Sequence, residues 1–212
     1  MKELSKAMLE YAPEKVVKYV KIGLKEGLDP LEMIEKLTQI IRIVGDRFAR
    51  GEAFLVELMM AGEAMKAGIE LLKPKIMEKK LEKKSLGRVV MGTVKGDIHD
   101  IGKNIVTIML EVAGFEVFDL GVDVPAETFV ERVRETSADI IGMSALLTTT
   151  VPEQKVVVEA LRKAGIREKV KVIVGGAATT PEWAKEIEAD GYADNALEAV
   201  ELVKKLLMRN DK

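Results

Sequence analysis

The chain has 212 residues, 48% of them hydrophobic and 32% charged, enough to build one large core or two smaller ones beneath a polar surface. Its 33 basic and 35 acidic residues leave a net charge of −2, without the basic excess that a nucleic-acid groove needs. With no cysteine and a single histidine, disulfides, thiolate metal centres and multi-histidine zinc sites are excluded.

Met1 to Lys6 lack the apolar run of a signal peptide, and no segment reaches the roughly 20 apolar residues of a membrane span. These features predict a cytoplasmic protein with no membrane contact.

Residues 1–84 carry helical periodicity and no strand pattern. Pro13 opens a predicted helix through Val16, Val20 and Leu24 that stops at Gly27. Asp29-Pro30 caps a second, with Leu31, Ile34, Leu37, Ile41 and Val44 spaced by three and four. A third is predicted from about Glu52 to Ile76, with Pro74 kinking or ending it. The expected product is a small helical bundle. The charged run Glu78 to Ser85 reads as a solvated linker, so the predicted domains are 1–84 and 85–212.

From Arg88 the rhythm changes. Predicted strands at Arg88 to Val94, Glu116 to Leu120, Asp139 to Ser144, Val170 to Val174 and near Tyr192 alternate with predicted helices. Those helices run over Lys103 to Val112, with Gly114 as C-cap, then Pro125 to Arg134, Pro152 to Ala164, Pro181 to Ile187 and Leu197 to Met208. The alternation predicts an α/β fold in which a doubly wound, five-stranded parallel sheet, Rossmann-like or flavodoxin-like, follows the bundle. Ligands in such sheets lie beyond the carboxyl ends of the strands, so the loops after Val94, Leu120, Ser144, Val174 and Tyr192 hold the candidate site.

The first of these loops carries the only histidine, in Gly96-Asp97-Ile98-His99-Asp100-Ile101-Gly102. A neutral imidazole ligates transition metals well, and a carboxylate on its second nitrogen fixes the tautomer and strengthens the donor. Asp97 can do this if the loop curls back, while Gly96 and Gly102 allow a large planar ligand to approach the backbone. The same residues also suit an ordinary helix start, with Asp97 or Asp100 as its cap. After the third strand, Ser144, Thr148, Thr149 and Thr150 offer hydroxyls for a ligand or for the next helix cap. Gly175-Gly176-Ala177 could admit a flat heterocycle or a phosphate, or simply turn the chain. The dinucleotide fingerprint Gly-x-Gly-x-x-Gly follows none of the strands.

The pattern Asp97-x-His99-x-x-Gly102, continued almost without break from Val90 to Pro125, resembles the cobalamin-binding module of methionine synthase. It is similar also to the corrinoid proteins of methylamine, methanol and aryl-methyl-ether methyltransferase systems. Val44-Gly45-Asp46-Arg47-Phe48 and Gly51-Glu52-Ala53-Phe54-Leu55 resemble the helical domain that caps the cofactor in those methyl carriers. The family often has proline where Val56 stands, and Pro-Ser where Thr149-Thr150 stands. The resemblance implies cobalamin as cofactor, carried as methylcobalamin in the loaded state. It implies His99 as the cobalt ligand, with Gly96, Asp97, Ile98, Asp100 and Gly102 around it and Thr150 bonded to Asp97. Ser144, Leu146, Thr148, Gly175, Gly176 and Ala177 would line the pocket for the displaced nucleotide tail, and Phe54, with Leu58 or Met59, would shield the methyl group.

The implied function is a methyl carrier, the corrinoid subunit of a methyltransferase system rather than a catalyst alone. Its partners would be a substrate-specific methyltransferase, an acceptor methyltransferase working on a thiol or tetrahydropterin, and a reductive activation protein. Methylamines, methanol, methoxylated aromatics and betaines all remain open as donors. An adenosylcobalamin mutase subunit and a cobalamin-sensing regulator share the ligand loop. The first does not need the helical cap, and the second needs an output domain, of which no basic DNA-reading helix gives a sign.

Overall fold

The computed structural model describes residues 1–77 and 85–208, and the predicted linker lies, apart from Ser85, outside them. The chain divides into two compact units, Met1–Lys79 and Lys80–Lys212.

The first unit contains α1 (Lys2–Leu9), α2 (Pro13–Lys25), α3 (Pro30–Ala49) and α4 (Leu55–Met77). Helix α1 was not expected. It is only 8 residues long, too short to be stable by itself, and it persists because Leu4, Ala7 and Met8 bury one face. Proline occupies the first position of α2 and of α3, where its missing N–H costs nothing, and the Asp29 carboxylate accepts from Leu31 N–H at 3.1 Å. Helix α4 begins at Leu55 rather than at Glu52. Glu57 reaches back to accept the Phe54 N–H at 2.7 Å, which sets the start, while Glu52 pairs with Arg50. Nor does Pro74 end the helix, which continues to Met77 with Leu72 and Ile76 buried on either side of it. The packing of those two side chains outweighs the hydrogen bond that proline removes.

The second unit runs β1 (Arg88–Thr93), α5 (Ile101–Val112), β2 (Glu116–Asp119), α6 (Ala126–Thr136), β3 (Ile140–Ser144), α7 (Pro152–Lys163), β4 (Lys171–Gly175), α8 (Pro181–Glu186), β5 (Gly191–Tyr192) and α9 (Ala196–Met208). A 3-10 turn at Arg167–Lys169, not foreseen, precedes β4. Helix α5 is capped at Ala113, with Gly114 one residue beyond, at φ +102°. All neighbouring strands pair in parallel, in the order β2-β1-β3-β4-β5.

Successive residues of each inner strand serve opposite faces of the sheet. Val90, Ile141, Val172 and Val174 join Phe129, Val157 and Leu161 in one core, whereas Val89, Ile140 and Ile173 join Leu110, Phe115 and Val203 in the other. Burial on both faces explains why these strands read as continuous apolar runs. The chain leaves β1 for β2 on one side and returns to β3 on the other, so a crevice opens at the carboxyl ends of β1 and β3. The histidine loop follows β1 and the hydroxyl-rich loop follows β3.

Candidate cofactor site

The loop after β1 curls back on itself. Gly96 sits at φ +79°, a left-handed conformation suited to glycine, and Asp97 N–H closes the turn on the Val94 carbonyl at 3.1 Å. Asp97 is thereby placed beneath His99, fully buried, and both of its oxygens are occupied. Oδ1 lies 2.7 Å from His99 Nδ1 and accepts the His99 backbone N–H at 3.1 Å. Oδ2 accepts from Thr150 Oγ1 at 2.7 Å, from Leu146 N–H at 2.8 Å and, more weakly, from Leu147 N–H at 3.4 Å. Burial alone would push the Asp97 carboxyl up. The hydrogen bonds from Thr150, Leu146 and His99 outweigh it and bring the pKa down to about 2.

An ionised Asp97 requires Nδ1 to be the protonated nitrogen, which leaves the lone pair on Nε2. The imidazole is 45% exposed, so it can meet a ligand while its inner edge stays anchored. A second clamp comes from the loop after β2. Asp123 accepts the Gly96 N–H at 2.7 Å, and its own N–H donates to the Asp97 carbonyl at 2.9 Å. Thr93 adds a third contact, donating to the His99 carbonyl at 2.9 Å.

Asp100 turns away from this relay: it stands at the N-cap of α5 without a cap hydrogen bond and accepts from Asn104 Nδ2 at 3.1 Å. Ile98 is 73% exposed, and Leu146 and Leu147 are also exposed, an apolar rim on the same two loops. Ser144 ends β3 in register with Gly175 at the end of β4, and Thr148 and Ala177 are exposed on the loops that follow. Gly176 has no room for a side chain, since a Cβ there would stand 2.1 Å from the Ala145 carbonyl oxygen. The site thus brings Gly96, Asp97, His99, Leu146 and Thr150 into one network, with Ser144, Gly175 and Gly176 on adjacent strand ends. Phe54 and Met59 belong to the helical unit, where both are well exposed.

Buried polar residues were missed from sequence, Thr93 in the site itself and Lys103 and Gln154 beside it. Lys103 Nζ contacts both Asp119 oxygens at 2.6 Å and Asn104 Oδ1 at 2.7 Å, tying the start of α5 to the end of β2. Gln154 lies wholly buried on α7. Helical phase carried a signal for the two on helices, because Lys103 shares a face with Thr107 and Leu110, and Gln154 with Val157, Val158 and Leu161.

Among the described residues no group of three or more His, Asp or Glu side chains could hold a bare metal ion. One imidazole with a carboxylate behind it suits instead a metal whose other positions are filled by a planar macrocycle, and the apolar rim and the Gly175-Gly176 pair at the end of β4 fit such a ring. Comparison with known proteins agrees. Residues 87–201 match the model of a B12 binding domain, and residues 1–73 match a second model also described as a B12 binding domain. The chain belongs to the corrinoid proteins. It is 49% identical over 209 residues to dimethylamine corrinoid protein 2 of Methanosarcina acetivorans, covering 98% of this chain and 96% of that one. The solved monomethylamine corrinoid protein of Methanosarcina barkeri superposes with a TM-score of 0.89 at 36% identity, over 96% of each chain. The methanol:cobalamin methyltransferase complex MtaBC of the same organism matches at a TM-score of 0.56 and 32% identity, over 97% of this chain and 78% of that one. In this corrinoid protein the four-helix unit and the parallel-sheet unit are therefore both family features, and no described helix is long and apolar enough to cross a membrane.

Proposed function

We propose that this chain is the methyl carrier of a methylamine methyltransferase system, with cobalamin held through His99. The observation that carries the ligand assignment is the buried Asp97 carboxylate 2.7 Å from His99 Nδ1, which leaves the lone pair on Nε2 of a ring that is 45% exposed. When bound, the corrin supplies a cobalt centre that takes a methyl group from a donor and yields it to a thiol or pterin acceptor.

The chain's own residues bind and tune that group. Asp97 fixes the imidazole tautomer, and Thr150 and the Leu146 N–H hold Asp97 ionised beneath it. Gly96, Ile98 and Gly102 form the face of the loop that meets the ring. Ser144, Leu146, Thr148, Gly175, Gly176 and Ala177 line the cleft for the displaced nucleotide tail, supported by their position at the ends of β3 and β4. On the helical unit, the exposed Phe54 and Met59 shield the methyl-bearing face, a reading supported by the match of residues 1–73 to a B12 binding domain.

A methylamine is the proposed donor because curated and solved relatives are named for dimethylamine and monomethylamine. The MtaBC complex supports a substrate-specific methyltransferase as partner. An acceptor methyltransferase and a reductive activation protein complete the proposed set. Labelling the single histidine with nitrogen-15 tests the ligand directly. Electron paramagnetic resonance of the protein loaded with cobalt(II) cobalamin should show line broadening that changes with the label. Spectra identical with and without label would remove His99 as the ligand.

A further inference from the structure

Gln154 is fully buried on the first turn of α7, the one polar member of the stripe it forms with Val157, Val158 and Leu161. Both ends of its amide are used. Nε2 is within donating distance of the Met143 carbonyl at 3.3 Å, the Gly175 carbonyl at 3.4 Å and Thr179 Oγ1 at 3.2 Å. Oε1 accepts the Trp183 indole N–H at 3.0 Å. Thr179 closes the group, its Oγ1 donating to the Gly175 carbonyl at 3.0 Å and its N–H to the Gly176 carbonyl at 2.9 Å. One buried side chain thus joins the end of β3, the end of β4 and the loop from Gly175 to Thr179.

For packing alone a leucine would serve at this position, since a buried amide costs desolvation that its hydrogen bonds only offset. What the amide adds is a defined position for the Gly175–Thr179 loop. That position has little tolerance, because the Gly176 backbone lies directly against the Ala145 carbonyl. Resting on the reading of Ser144, Thr148 and Gly175 to Ala177 as the tail cleft, we propose that Gln154 is a positioning residue that shapes the cleft wall for the nucleotide tail. The chain thereby selects corrinoids that carry a complete tail over those that lack one. Gln154 acts through the loop and does not itself touch the tail. Trp183, the only tryptophan in the chain, reports on the same network.

The test compares full-chain protein and its Gln154→Leu variant with two probes, cobalamin and cobinamide, a corrinoid without the nucleotide tail. Affinity comes from visible-absorption titration, and Trp183 fluorescence is read before and after loading. The parent should bind cobalamin more tightly than cobinamide. The variant should lose about tenfold in cobalamin affinity, the scale set by leaving buried acceptors without a donor, and should bind cobinamide as the parent does. Trp183 emission of the unloaded variant should shift, and its response to cobalamin should shrink. Thr179→Val, a smaller change in the same network, should move both readouts in the same direction and keeps the test decisive if the leucine variant does not fold. Equal losses for the two corrinoids would show that the network supports the fold rather than the tail, and unchanged cobalamin affinity in both variants would overturn the proposal. A parent that binds both corrinoids equally would overturn the tail-cleft reading itself, an outcome visible before any variant is made.

Discussion

Asp97 and Thr150 stand 53 positions apart in the chain, yet Thr150 Oγ1 donates to Asp97 Oδ2 at 2.7 Å in the buried floor of the site. The contact joins the loop after β1 to the loop after β3 and completes a relay in which Thr150 holds Asp97 and Asp97 holds His99. Strand order makes it possible, because β1 and β3 are neighbours although β2 lies between them in sequence.

Thr150→Val removes this side-chain donor and leaves the buried carboxylate with one hydrogen bond fewer, its backbone partners unchanged. The unloaded protein should lose about 1–2 kcal/mol in denaturant unfolding, and Thr150→Ser should recover most of it. Valine and serine variants of equal stability would show that the hydroxyl does not matter to Asp97.

The Asp97 carboxyl is held down to about 2 from an ordinary 3.8. A lowered carboxylate stabilises the folded state above its unfolded value, and that contribution fades as pH falls from about 4 toward 2. Its size is about 2 kcal/mol at neutral pH. Asp97→Asn should therefore be less stable than the parent at pH 7, with the difference closing across that window. In the loaded protein the same substitution should weaken the hold of His99 on cobalt, so that protons detach the imidazole at higher pH than in the parent. A visible-absorption pH titration that does not move would separate the carboxylate from ligand tuning.

Two glycines at positive φ should answer differently to alanine. At Gly176, with φ +111°, the new methyl would stand 2.1 Å from a backbone oxygen that cannot yield, so Gly176→Ala should cost about 3 kcal/mol or more, or prevent folding. At Gly96, with φ +79°, the nearest atom is Thr150 Cγ2 at 3.7 Å, so only the backbone strain of about 1 kcal/mol applies. Thermal melts of the two variants should rank in that order.

The parallel-sheet unit encloses its own two cores. A fragment from Ser85 onward should unfold cooperatively and bind cobalamin, with His99 coordination read from its visible spectrum. If the helical unit shields the cofactor, methylcobalamin bound to the fragment should photolyse faster than on the full chain, because the cage that returns the radical pair is gone. Equal rates would withdraw Phe54 and Met59 from the site.

What the sequence settled by itself was local. Apolar runs alternating with helical stripes announced the parallel sheet, because period and turn chemistry act over a few residues. The Asp97–His99 pair was legible for the same reason, its members being two positions apart in a glycine-flanked loop. Helix α1 was missed although its stripe was present, since so short a helix depends on what it packs against. Only the tertiary structure decided the partners of distant groups. The Lys103–Asp119 pair spans 16 positions and the Gln154–Thr179 contact 25, and each exists only because a particular strand end lies beside a particular helix. Thr150 was linked to Asp97 only by family resemblance, and the fold supplies the physical cause: adjacent β1 and β3 bring their loops together, where a buried carboxylate must find its donors.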